Sequence, residues 1–179
     1  MKKKNLIIIG LILIAFVGGW GWRTYQNWPI HEGWQTLKDE EVGFSMQYPP
    51  EMQARNNSNK SATFYYLGAT QSTGTELYDG INVTIIQDDL GDGGMSKYIE
   101  RSIEQTKSIG SVSKPLAPTS INGISGFSYT AHTLGEYEIF FMPKGKDKVM
   151  VITYIAPDPK NNGYQKTVED MFSTLKILR

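Results

Sequence analysis

Residues 122–156 read NGISGFSYTAHTLGEYEIFFMPKGKDKVMVITYIA, and three strand patterns follow one another within them. Asn122-Gly123 opens Ile124–His132, and Gly135 leads into Tyr137–Met142. Lys144–Lys148 (KGKDK) forms a charged hairpin tip before Val149–Ala156, a run apolar enough for a central strand. Pro157 and Pro159 end it.

Upstream the same signals recur. Phe44–Tyr48 alternates apolar and polar residues until Pro49-Pro50 stops it, which suits a half-buried strand. Thr63–Leu67 and Ile81–Ile86 are rich in β-branched and aromatic residues, with Arg55–Lys60 as a polar turn and residues 68–80 as an exposed loop. After Asp88–Gly94, residues Met95, Tyr98, Ile99, Ser102, Ile103 and Thr106 keep helical spacing. Asp92 or Ser96 supplies the N-cap and Gly110 the stop. Tyr164, Val168, Met171, Phe172 and Leu175 mark a second amphipathic helix. The order β-β-β-α-β-β-β-α predicts an α+β domain, an antiparallel sheet flanked by helices, over residues 41–179.

Ahead of it, Lys2, Lys3 and Lys4 precede an uncharged run from Asn5 to Trp22. From Leu6 that run spans roughly 25 Å as a helix, at the lower limit for a bilayer core of about 30 Å. Residues 1–22 therefore read as a transmembrane signal anchor and 23–40 as a linker, its Trp34 packing onto the domain. The lysines hold the N-terminus in the cytoplasm, and the domain faces outward from a cell membrane. A cleaved signal is the alternative, although Ala-x-Ala is absent.

Charge is balanced at 18 basic and 18 acidic residues, and removing the three lysines leaves the remainder slightly acidic. No basic stripe exists for nucleic acid. With no cysteine, disulfides, thiol nucleophiles and thiolate metal sites are all excluded.

Particular residues at the joints carry a resemblance. Gly43-Phe44-Ser45-Met46-Gln47-Tyr48-Pro49, Asn122-Gly123-Ile124-Ser125-Gly126-Phe127 and Phe172-Ser173-Thr174-Leu175-Lys176-Ile177 stand at strand starts and a helix end. In these the chain resembles the PsbP-like superfamily, in its membrane-anchored bacterial form. The superfamily includes the extrinsic photosystem II protein and the Ran-binding Mog1 proteins. The resemblance implies an antiparallel sheet flanked by helices and an extracytoplasmic accessory or binding role. No photosystem-binding or Ran-binding residues carry over.

Motifs for catalysis fall short. Gly123-Ile124-Ser125-Gly126 lacks the second glycine of a nucleophile elbow and precedes a strand, and only His31 and His132 could serve as base. Asp88 and Asp92 occupy positions 1 and 5 of a calcium-type loop, but Leu90 and Ile99 stand where ligands are needed, so a capped turn is the plainer reading. Gly91, Gly93 and Gly94 lack phosphate-loop spacing. No cofactor is expected.

Glu136 and Glu138 face one side of their strand. Tyr65, Tyr66, Tyr78, Tyr129 and Tyr137 exceed what one sheet face must bury, and exposed tyrosines make good contacts. The expectation is a non-enzymatic binding module with a protein partner at the membrane. Its contacts are Tyr65, Tyr137, Glu136 and Glu138, with the 68–80 and Asp88–Gly94 loops. A receptor for a small ligand or cation is the alternative, and a hydrolase comes third.

Overall fold

The computed structural model describes residues 31–57, 60–71 and 76–178. Along them run β1 (Gln35–Asp39), β2 (Phe44–Tyr48), β3 (Gln53–Asn57), β4 (Ser61–Leu67), β5 (Gly80–Asp89), α1 (Gly94–Ile109), β6 (Ser111–Ile121), β7 (Ile124–His132), β8 (Glu136–Lys144), β9 (Lys148–Ile155), α2 (Tyr164–Ser173) and β10 (Lys176–Ile177). Seven strands form one antiparallel sheet in the order β3-β4-β5-β9-β8-β7-β6, and three form a second in the order β1-β2-β10. The fold is thus α+β, as the sequence predicts. The expected transmembrane helix lies outside the described residues, among which no helix is long and apolar enough to cross a membrane.

Alternation decides which face each strand buries. Phe64, Val83, Ile85, Phe140, Met142, Met150 and Ile152 point to one side, where the small sheet and α2 cover them with Phe44, Met46, Val168, Met171, Phe172 and Leu175. Phe64 meets Tyr48 edge-on at 5.3 Å, and Phe172 meets Phe140 at 5.6 Å. Each fully buried apolar side chain stabilises the fold by about 1.5–3 kcal/mol. Lys144 Nζ fastens the β8–β9 hairpin to the small sheet, donating to Val42 O at 2.6 Å and to Gln87 Oε1.

On the other side α1 covers only part of the sheet. Ile99 joins Leu90, Tyr129, Ala131, Phe141 and Val149 in a second, smaller core. Tyr129 is fully enclosed there, stacked on Phe141 at 5.9 Å, its hydroxyl 2.8 Å from Thr106 Oγ1. It therefore leaves the set of exposed tyrosines expected from composition.

Four further expectations need correction. Gln35–Asp39, assigned to the linker, is a strand paired with β2, and Trp34 packs against the core. The start of the presumed polar turn at Arg55 belongs to β3, paired with β4. Asn122-Gly123 does not merely precede a strand but joins two, β6 and β7, as a two-residue turn with φ of 47° and 77°. Neither Asp92 nor Ser96 caps α1: Gly93, at φ 107°, takes that position without a side-chain bond. Gly110 does cap the end of the helix, and a Cβ there would meet the His132 carbonyl oxygen at 2.3 Å, so the position requires glycine.

Candidate functional site

Register across four strands assembles a row of polar side chains on the face shared with α2. Lys114 pairs with Thr130, Thr130 with Glu138, and Glu138 with Tyr154. Directly opposed residues point to the same face with Cα atoms about 5 Å apart, so the four stand in line. The β6–β7 register shifts on both sides of Lys114, the kind of bulge that re-aims a side chain. Leu77 and Tyr78 from the 68–80 loop and Gln165 from α2 wall the row into a cleft of about 460 Å³, with Glu136, Ile155 and Pro157 along its side.

Within this cleft Tyr154 is 7 % exposed and its hydroxyl donates to Glu138 Oε2 at 2.6 Å. Burial, and then the neighbouring Glu138 carboxylate, push its phenol well above the ordinary tyrosine range. Gln165 Nε2 donates to the Tyr154 oxygen at 2.9 Å and to Glu169 Oε1 at 3.2 Å. The phenol therefore serves as a fixed donor toward Glu138. Thr130 is 4 % exposed as a residue and lines the cleft, where its accessible hydroxyl has no hydrogen-bond partner among the described residues. Neither Lys114 nor Glu136 is ion-paired among them; the ion pairs there are Lys38–Glu40 and Lys166–Asp170.

Beside the cleft, Asp79 organises the loop. Its buried carboxylate accepts from Thr70 N and Oγ1 and, at 3.0 Å, from the Tyr164 hydroxyl. Asp158 accepts three backbone N–H groups, from Asn162, Gly163 and Tyr164, and so occupies the N-terminus of α2.

Tyr65 and Tyr137 lie on the opposite face. Tyr65 pairs with Asn82, which pairs with Ile155, and Tyr137 stands next on β8. Three strand spacings put the two tyrosines about 14 Å apart. The Arg55 guanidinium sits 5.1 Å above the Tyr65 ring, and its Nη2 donates to the hydroxyl at 2.7 Å. The Tyr65 hydroxyl in turn donates to Gln53. Thr63, Thr84 and Thr153 form a row beside them, and Ile86 is 38 % exposed. Tyr137 instead packs against the core beneath α1. The four expected contact residues thus divide between two faces of one sheet.

The remaining sequence candidates do not converge. Asp88 accepts from the Tyr98 hydroxyl and from Asp89 N, each at 2.8 Å, and Asp92 is exposed. Among the described residues no three metal-ligating side chains gather. Ser125 and His132 sit seven positions apart on β7, about 23 Å along an extended strand. Thr130, Lys114 and Gln165 escaped the sequence reading, because only strand register and the α2 packing bring them to Glu138.

No family model matches the sequence, and a comparison with curated proteins finds no match. Solved structures do match. LpqN of Mycobacterium tuberculosis, involved in cell envelope biogenesis, aligns with a TM-score of 0.53 at 13 % identity, over 82 % of this chain and 91 % of its own. Cyanobacterial PsbP from Synechocystis sp. PCC 6803 aligns with a TM-score of 0.51 at 9 % identity, over 84 % of this chain and 96 % of its own. The fold is PsbP-like.

Proposed function

We propose that the chain is a non-enzymatic accessory module working outside a cell membrane, tethered by its N-terminal segment, which binds a protein partner through the half of the sheet that α1 leaves bare. The observation that carries this reading is a surface that no helix among the described residues covers. An arginine-backed tyrosine, a threonine row and an exposed isoleucine lie together on rigid strands. Such a mixture of aromatic, Arg and small polar residues suits a contact surface. The lysine-flanked apolar run at the N-terminus and a fold shared with a cell-envelope protein support the location.

Crosslinking and affinity capture of the full-length protein from its native membranes tests this. A stoichiometric partner whose yield falls on Tyr65→Ala combined with Thr84→Arg, at unchanged melting temperature, supports the assignment. Undiminished capture by that variant removes the face from consideration.

A further inference from the structure

The Lys114–Thr130–Glu138–Tyr154 cleft lies on the other face of the sheet and stands apart from the docking reading. Three features distinguish it from a solvated strand end. Thr130 is 4 % exposed as a residue and lines the cleft, and the part of it that stays accessible includes a hydroxyl with no partner among the described residues. A cation and a carboxylate, Lys114 and Glu138, stand in one row on either side of that hydroxyl without pairing. Tyr154, itself bonded by Gln165, holds Glu138 from the side away from Lys114.

We propose that this cleft binds a small ligand bearing both an ammonium and a carboxylate group, of the size of a basic amino acid or a short peptide ending in one. The ammonium lies between Glu136 and Glu138, the carboxylate meets Lys114, and Thr130 hydrogen-bonds the ligand between them. Leu77 and Pro157 take the aliphatic part. Two carboxylates face one lysine, so a ligand with one net positive charge is favoured over a neutral or acidic amino acid. The cleft volume of about 460 Å³ falls within the span of small-molecule sites. Engaging an accessible hydroxyl and two charged groups at once supplies orientation, which an apolar pocket alone would not.

The test is calorimetric titration of the full-length protein in detergent micelles, with amide chemical shifts followed in parallel. The probes are L-lysine, glycyl-L-lysine, cadaverine, which lacks the carboxylate, and L-glutamate. Expected is saturable binding of L-lysine or glycyl-L-lysine at millimolar concentrations or below, with shifts at Thr130 and Glu138. Cadaverine and L-glutamate should bind about tenfold more weakly or worse, as loss of one charge-assisted contact requires. Glu138→Gln and Lys114→Met should each weaken the best probe by about tenfold or more, and Thr130→Val by less. Tighter binding of glycyl-L-lysine than of L-lysine assigns a peptide end, and the reverse a free amino acid. Absence of shifts at Thr130 and Glu138 with every probe overturns the proposal. So does equal binding of L-lysine and cadaverine to a protein indifferent to Lys114→Met. Melting curves without ligand confirm that each variant folds.

Discussion

The Tyr154 hydroxyl donates to Glu138 Oε2 at 2.6 Å across the β8–β9 pair. The ring belongs to the main core and the carboxylate to the cleft, so one bond links packing to the candidate binding chemistry. Replacing Tyr154 by Phe keeps the ring contacts with Phe140 and Phe172 and removes the hydroxyl, which donates to Glu138 and accepts from Gln165. Stability should fall by about 1–2 kcal/mol in urea titration, the range for a hydrogen bond to a charged group at a partly open site. An unchanged midpoint would mean that the bond contributes nothing net.

At high pH three phenols work against the fold. Burial first, and then the Asp79 carboxylate, push Tyr164 up to about 12 from 10.0. Tyr98 and Tyr154 are likewise raised, by burial and then by Asp88 and Glu138. A group with a raised folded-state value holds its proton better in the native state, so its stabilisation is complete below pH 10 and vanishes as pH climbs toward 12. The urea midpoint should decline steadily across that window, and Tyr164→Phe should flatten the decline.

In acid the sign reverses. The Thr70 side-chain and backbone hydrogen bonds hold the Asp79 carboxyl below 3.8, outweighing burial. Asp158 is lowered too: burial opposes this, but three backbone N–H bonds prevail. Both groups stabilise the protein above the ordinary carboxylate range and stop doing so as pH falls below it. Asp79→Asn should therefore lower stability at neutral pH while making the acid limb of the pH profile shallower. A parallel shift of the whole profile would exclude Asp79 as a source of that limb.

Gly126 is fixed by space. A Cβ there would sit 2.3 Å from the Phe141 carbonyl oxygen and 2.7 Å from Met142 Sδ. Backbone on a facing strand cannot give way cheaply, so Gly126→Ala should cost about 1–3 kcal/mol, as overpacking does. Gly123 meets no such obstacle, and its φ of 77° alone makes alanine unfavourable there, by about 1 kcal/mol. Comparing the two variants by thermal unfolding separates crowding from backbone strain.

The strands legible in the sequence are β2, β4, β5, β7, β8 and β9, the inner strands of the two sheets. Those that escaped are β1, β10, β3 and β6, the sheet edges. The cause is physical. An edge strand need bury neither face deeply, so β6 (SVSKPLAPTSI), almost wholly exposed and carrying Pro115 and Pro118, shows no period of two. Asn122-Gly123 was the one signal that could have revealed it, since that pair closes two-residue hairpins. Of the cleft, only the Glu136–Glu138 alternation was visible. Lys114, Thr130 and Tyr154 join it through strand pairings between residues 8 or 16 apart in the chain, which no local pattern encodes.

Strand β2 is gripped on both sides, by the first strand of the domain and by its last. Gln35, where β1 begins, lies opposite Tyr48 at the open end of the β1–β2 pair. The Gln35–Tyr48 rung is therefore the one from which β1 can fray, one pair at a time toward the Asp39–Phe44 end. Peeling of β1 from that end leaves every pairing of the seven-stranded sheet in place.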